Sequence, residues 1–187
     1  YRNLADIGFS RDKVKEIAAA VEIADGPNDQ GEMFQRPGRA SDRFRSPFAN
    51  EQASRVANNG AFPPDLSLMV KARVGGPDYL YSLLTGYRDA PAEVQIREGL
   101  HYNEYFAAGN HQIAMPPPLL EDGVQFEDGT KATIEQMAAD VTTFLSWAAE
   151  PELEARKRLG VKVILFLFLL TGMFYAFKVK IWKDVKH

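Results

Sequence analysis

The feature that most constrains this fold is a long apolar run near the end of the chain. Residues 161–177 read VKVILFLFLLTGMFYAF, interrupted only by Lys162, Thr171 and Gly172. As a helix, this run spans roughly 26 Å at about 1.5 Å per residue, close to the hydrocarbon thickness of a bilayer. Tyr175 and Trp182 fall near the C-terminal end of the run, where amphipathic aromatic side chains favour the membrane–water interface. We therefore predict a transmembrane helix over residues 161–178, the alternative being a buried core helix.

The basic residues that flank this run do not decide its orientation. Four lie on each side: Arg156, Lys157, Arg158 and Lys162, against Lys178, Lys180, Lys183 and Lys186. The first 149 residues carry 14 basic and 21 acidic residues, whereas the rest of the chain carries eight basic and four acidic ones. An acidic domain and a basic tail favour a domain outside the membrane and a tail at its anionic inner surface. The acidic domain also argues against nucleic acid as a partner.

The rest of the chain reads as helices separated by long irregular loops. Caps, stops and apolar stripes predict four helices. The first starts after the cap Ser10 and has Val14 and Ala18 on its apolar face, and the second starts at Ser46-Pro47 and ends at Gly60. The third starts at Pro77 and ends at Gly86, and the fourth starts at a capping box formed by Thr133 and Gln136. Residues 25–47 are rich in Gly and Pro without periodicity, so we predict a surface excursion there. The predicted class is all-α, with a globular domain over 1–150, a linker helix over 151–160 and a tail over 179–187.

One stretch, GNHQIAMPPPLL at residues 109–120, sets Met115 directly before three prolines. Proline fixes its own φ and pushes the preceding residue out of the helical region, so Met115 is expected to be extended and restrained. A thioether is a weak ligand that haem iron accepts when the protein holds it in place. From these residues alone two interpretations stay open: an axial haem ligand, or a methionine that fills a gap beneath a loop.

The helices and loops leave an unusually thin predicted core unless something large and apolar, such as a porphyrin, fills it. Aromatic and apolar loop residues such as Phe62, Phe106 and Ile113 could line such a group, although each could equally anchor its own loop. The sequence contains no phosphate-binding loop, HExxH motif or nucleophile elbow. The absence of cysteine does not decide the redox compartment.

Three blocks of sequence together resemble the cytochrome c1 family, the haem subunits of quinol-cytochrome c oxidoreductase, or respiratory complex III. They are ANNGAFPPDLSLMVKARVGGPDYLYSLLTGY, EGLHYNEYFAAGNHQIAMPPPLL and EDGTKATIEQMAADVTTFLSWAAEPELEARKRLGVKV. The likeness is to bacterial members and covers nearly the whole chain. It implies a cytochrome c-like helical haem domain in the periplasm and a single C-terminal anchor in the bacterial inner membrane.

The resemblance also implies a set of haem-binding residues. Met115 matches the family's axial methionine on the iron, and Arg73 matches an arginine near a haem propionate, where a charge-assisted bond is apt. Read without the family, Arg73 is more often a solvated charge and Tyr79 a buried helix aromatic. The remaining pocket residues expected are Tyr79, Asn58, Ala61, Pro63, Pro64, Leu66, Phe106 and Ile113.

The chain departs from the family pattern in one respect. The family attaches haem c through Cys-x-x-Cys-His, whose histidine is the other axial ligand, and this chain contains no cysteine. We expect that motif on a segment that is not in this chain. His101, His111 and His187 are poor substitutes. His111 in particular lies only four residues from Met115 on the same loop, too close to reach the opposite haem face.

The function implied is electron transfer within an oxidoreductase complex, without bond-making chemistry by this subunit. In the family, an electron passes from the Rieske iron–sulfur protein through the c-type haem to a soluble or membrane cytochrome c. The partners implied are cytochrome b, the Rieske protein, a cytochrome c and membrane lipid, in a dimeric complex. The alternative is a membrane-tethered structural or assembly subunit that binds no haem in this form.

Overall fold

The computed structural model describes residues 1–183; residues 184–187, part of the predicted tail, lie outside the described residues. Residues 1–149 form one compact unit, and a second unit begins at Glu150. The first unit is rich in helices with long connecting loops, and the second is a single long helix. The predicted all-α class is confirmed, with the addition of two small antiparallel sheets.

The regular elements follow one another in chain order. The helices are α1 (Arg11–Ala19), α2 (Glu51–Ala57), α3 (Met69–Ala72), α4 (Gly76–Thr85), α5 (Ile134–Ala149) and α6 (Leu153–Trp182), with short 3-10 helices at Arg2–Ile7 and Ala107–Gly109. The strands are β1 (Glu22–Asp25), β2 (Phe34–Pro37), β3 (His101–Tyr102) and β4 (Gln112–Ile113). β1 pairs with β2 and β3 with β4, both antiparallel.

Three of the predicted helix boundaries are confirmed. Ser10 caps α1 by accepting the backbone N–H of Lys13 at 3.2 Å, and Gly86 ends α4. Thr133 caps α5 by accepting the N–H of Gln136 at 3.1 Å. The reciprocal half of that capping box does not form, because the Gln136 side chain donates to Asp140 instead. A side-chain cap therefore sets the start of each of these two helices, α1 and α5.

Two local predictions were wrong. The second helix begins at Glu51 and not at Ser46-Pro47, because the Asn50 side chain accepts the N–H of Ala53 at 2.9 Å and so takes the cap position. Its predicted apolar position Val56 is 84% exposed. The second error is that residues 25–47 are not wholly irregular: the hairpin β1–β2 pairs Asp25 with Phe34.

The core of the first unit lies where α3, α4 and α5 pack on one another. Its buried apolar residues include Met69, Leu80, Met137 and Ala138, with Ile113 from β4. Among the described residues, Asn103 is the only large side chain less than 2% exposed. The apolar core is thus thin for a unit of this length, as the sequence predicted.

The second unit is dominated by α6, a helix of 30 residues. Its most apolar 18-residue window has a mean hydropathy of 2.1, and it is the one helix among the described residues that is long and apolar enough to cross a membrane. Thr171 donates its hydroxyl to the carbonyl oxygen of Leu167 at 2.7 Å, so this polar group is satisfied within the helix. By length and composition, α6 is a candidate membrane span.

Candidate functional site

Met115 lies at a bend in the loop that follows β4. The ladder between β3 and β4 ends at Ile113, and the prolines at 116–118 have no N–H with which to extend it. The Met115 side chain is 36% exposed, and its backbone carbonyl accepts a hydrogen bond from the Tyr87 hydroxyl at 3.0 Å. Partial burial raises the pKa of Tyr87 above its ordinary value of 10, to about 12.

Asn103 links the β3–β4 hairpin to the end of α4. Its side-chain amide donates to the carbonyl oxygen of Leu83 at 2.8 Å, and its side-chain oxygen accepts the N–H of Tyr105 at 3.0 Å. Its backbone N–H donates to His111 at 2.8 Å. Gly86 fits tightly here, because a Cβ at that position would lie 3.2 Å from the Asn103 side-chain oxygen and 2.5 Å from the Tyr105 ring. The hairpin is therefore fixed to α4.

Arg73 and Tyr79 lie at the opposite end of α4 from this contact. Arg73 follows α3 and is exposed, and its guanidinium has no hydrogen bond or ion pair within residues 1–183. Tyr79 is half-buried on the first turns of α4. It packs close to Gly75, because a Cβ added at Gly75 would lie 3.2 Å from the Cβ of Tyr79. Arg73 is thus a cation available to an anionic group.

The other predicted pocket residues form two further groups. Phe106, half-buried, and Ile113, buried, belong to the hairpin that carries Met115. The third group occupies the loop after α2 and consists of Asn58, Ala61, Pro63, Pro64 and Leu66. In this loop Asn58 donates its amide to the carbonyl oxygen of Ser54 at 2.7 Å, and Leu66 is 50% exposed. Among the described residues, no hydrogen bond joins this loop to the hairpin.

The residues present fit a large, flat, apolar group with carboxylate substituents. Several apolar side chains among the predicted pocket residues or near them in the sequence are exposed: Phe62 50%, Leu66 50%, Leu68 61% and Val74 99%. Covering such surface is favourable by about 25 cal/mol per Å². The uncompensated guanidinium of Arg73 suits a propionate, and the Met115 side chain supplies a thioether. These features together match the chemistry of haem.

The two histidines that the structure describes do not form an alternative metal site. His111 has a positive φ of 62°, and its Nδ1 lies 3.3 Å from the carbonyl oxygen of Asn103, within the same hairpin. His101 lies opposite Ile113 in that hairpin. His187 lies outside the described residues. Within residues 1–183, no group of three or more His, Asp or Glu residues is placed to hold a metal ion.

Sequence reasoning did not find Tyr87 or Asn103. Tyr87 lies 28 residues before its acceptor, and Asn103 lies 20 residues after the carbonyl that it binds. The available signals were weak: a small amide inside the aromatic run HYNEYF, and a tyrosine directly after the helix stop Gly86. Neither pattern indicates a partner so far away along the chain.

The fold and site define a class: a helix-rich domain with a braced methionine loop, followed by one candidate membrane span. The sequence profile of the Cytochrome C1 family matches residues 1–185. The chain is 53% identical to a cytochrome c1 of Rhodospirillum rubrum, covering all of this chain and 74% of that protein. It is 55% identical to a mitochondrial "cytochrome c1 1, heme protein" of Arabidopsis thaliana, covering 94% of this chain and 57% of that protein.

A third relative, "cytochrome b/c1" of Bradyrhizobium diazoefficiens, is 47% identical over 98% of this chain, which covers 30% of that protein. The chain belongs to the cytochrome c1 family. Proteins of this family carry covalently bound haem c. The chain spans between 30% and 74% of the length of these three relatives.

Proposed function

We propose that this chain transfers electrons as part of the haem subunit of quinol-cytochrome c oxidoreductase. The proposed route takes one electron from the Rieske iron–sulfur protein and delivers it to a soluble or membrane cytochrome c. The family match over residues 1–185 supports this role, and one observation on the chain itself carries it. That observation is Met115, partly exposed on a loop held by prolines and by Tyr87.

When bound, haem c supplies one-electron redox chemistry, and a methionine ligand favours a high potential. The residues of this chain then have three tasks. Met115 provides the thioether ligand, Arg73 neutralises a propionate, and the apolar loop after α2 excludes water with Tyr79, Phe106 and Ile113. Because this chain contains no cysteine, the proposal assigns the thioether bridges, and the histidine ligand with them, to a segment that is not in this chain.

The second unit is proposed to anchor the domain in a membrane. In this arrangement α6 crosses the bacterial inner membrane once, with residues 1–149 in the periplasm and the end of the chain in the cytoplasm. The excess of acidic residues in residues 1–149 and of basic residues in residues 150–187 supports that orientation. The partners proposed within the membrane are cytochrome b and lipid, in a dimeric complex.

The absorbance spectrum of the purified complex that contains this chain tests the proposal. The expected result is a sharp c-type α-band, resolved from the α-band of cytochrome b, that appears on reduction and disappears on oxidation. A preparation without the c-type band, in which the chain is intact and membrane-bound, would contradict it and would favour a structural or assembly subunit. Co-purification of cytochrome b and the Rieske protein with a tagged chain tests the proposed partners.

A further inference from the structure

The loop that carries Met115 is fixed to the end of α4 at two levels. The first level is the β3–β4 hairpin itself, where Asn103 bonds both Leu83 and His111, and the N–H of Glu104 donates to the Gly86 carbonyl at 2.9 Å. Tyr87 forms an isolated antiparallel bridge with Asn103. These bonds hold the hairpin, but they stop before Met115.

The second level lies at Met115 and consists of one bond. Residues 114–118 are outside the β ladder, and the prolines at 116–118 lack N–H groups. In the part of the chain that the structure describes, the only hydrogen bond to these five residues is the one from the Tyr87 hydroxyl to the Met115 carbonyl. The half-buried Tyr87 ring and Pro117 also line the same open cavity, with His101 and Tyr102.

We infer that Tyr87 is a positioning residue that keeps the Met115 side chain at the iron. The inference rests on the proposed ligand role of Met115. A thioether is a weak ligand, so its occupancy depends on how narrowly the backbone restricts its position. The prolines restrict the backbone torsions around Met115, whereas the Tyr87 bond fixes where that backbone lies relative to α4. Tyr87 touches neither the sulfur nor the iron in this account and acts through the Met115 carbonyl.

Tyr87→Phe in the haem-loaded protein tests the inference, because it removes one oxygen and keeps the ring. Loss of a neutral hydrogen bond is expected to raise the population with Met115 detached by about two- to tenfold. Imidazole added to the oxidised protein should then bind with an apparent affinity about two- to tenfold higher, because it competes with a looser methionine. The long-wavelength absorption band of thioether-ligated ferric haem should disappear at a correspondingly lower imidazole concentration.

Tyr81→Phe is the matched control. Tyr81 lies on α4, is 37% exposed, and its hydroxyl has no hydrogen bond within residues 1–183. It should leave the imidazole affinity at the wild-type value. An unchanged affinity in Tyr87→Phe would overturn the inference. So would failure of Tyr87→Phe to fold while Tyr81→Phe folds, since that would assign Tyr87 a general structural role.

The mobility of the Met115 backbone separates this inference from the proposed function. In Tyr87→Phe, the NMR order parameter of the Met115 amide should fall, whether or not the sulfur is a ligand, because the carbonyl of the same residue is no longer held. The order parameters of residues in α5 should not change. If Met115→Leu kept the wild-type haem spectrum while Tyr87→Phe lowered the order parameter at Met115, the ligand role would fail and the tether would stand. An unchanged order parameter would overturn the tether.

Discussion

The side-chain amide of Asn103 lies 2.8 Å from the carbonyl oxygen of Leu83, and this bond joins the Met115 hairpin to the end of α4. Asn103 is fully buried, and its side chain forms hydrogen bonds with both the carbonyl oxygen of Leu83 and the N–H of Tyr105. It is therefore a connection between two parts of the candidate site, and its loss would leave buried polar groups without partners.

Asn103→Ala is expected to lower the free energy of unfolding by about 2–4 kcal/mol, because it removes two buried hydrogen bonds and leaves a small cavity. Denaturant unfolding of the detergent-solubilised protein, followed by tryptophan fluorescence, measures this change. Asn3→Ala, at an exposed position near the start of the chain, is the control and should change stability by less than about 0.5 kcal/mol. Equal stability of the two variants would show that the Asn103 bonds contribute nothing net.

Acid should weaken the first unit through Arg36 and its two carboxylate partners. Arg36 contacts Asp25 and donates to the Asp42 oxygens at 2.7 and 3.2 Å. This guanidinium, with the N–H of Arg39, lowers the pKa of Asp42 from 3.8 to about 2, and Arg36 also lowers the pKa of Asp25. Because both pKa values are lower in the folded state, their contribution is present above about pH 4 and is lost as the pH falls towards 2.

The wild-type free energy of unfolding should therefore fall between about pH 4 and about pH 2 more steeply than that of Asp42→Asn. Unfolding curves at a series of pH values measure this difference, which should shrink as the carboxylate is protonated. Asp29→Asn, at an exposed position, should follow the wild-type curve. Parallel pH profiles for wild type and Asp42→Asn would contradict the assignment.

Arg73→Gln is expected to lower the haem midpoint potential, because a nearby cation stabilises the reduced state. A charge taken to be about 10–15 Å away, at an effective dielectric of about 20, contributes about 1.1–1.7 kcal/mol, or about 50–70 mV for one electron. Potentiometric titration of the haem-loaded protein measures the shift. Arg73→Lys keeps the charge and should retain most of the potential. If Arg73→Gln and wild type had the same midpoint, Arg73 would be a solvated surface charge.

Deleting the chain from Leu159 onward should release a soluble domain with an unchanged haem spectrum. The reason is that residues 1–149 form their own compact unit, whereas the apolar window lies in α6. Extraction without detergent and the absorbance of the soluble fraction provide the measurement, with the full-length protein as control. A folded truncated domain that had lost its haem spectrum would show that α6 contributes to the haem site.

The sequence predicted those elements whose signals are local. α1 and α5 begin where a side chain caps them, and α4 ends at the predicted stop Gly86. The hairpin β1–β2 was missed because each strand has only four residues and none of them is fully buried, so residues 25–47 show no clear apolar alternation. The start of α2 was wrong because two capping candidates lie within five residues and Asn50 prevailed.

In the candidate site, too, features with a local sequence signal were predictable and long-range contacts were not. The prolines predicted an extended and restrained Met115; the structure places it at a bend in the loop after β4, with its carbonyl bonded to Tyr87. The bond from Tyr87 was not predictable, since 28 residues separate donor and acceptor and no periodicity relates them. The haem-binding roles of Met115, Arg73 and Tyr79 came from resemblance to the family and stay predictions.

The central claim is that Met115 ligates the haem iron, and the midpoint potential of Met115→Leu tests it most directly. Leucine has nearly the volume of methionine, so the fold should be preserved at a cost below about 1.5 kcal/mol, but the thioether is lost. Met33→Leu, at a position 67% exposed in the β1–β2 hairpin, is the matched control.

Since axial ligands set haem potentials over about 0.8 V, Met115→Leu should lower the midpoint by on the order of 100 mV or more, while Met33→Leu should leave it unchanged. Under the proposed route, reduction of cytochrome c by the complex should fall with it, because transfer from the Rieske centre would become uphill. A Met115→Leu protein with the wild-type midpoint would contradict the account and show that the proline-braced loop holds a packing residue and no ligand.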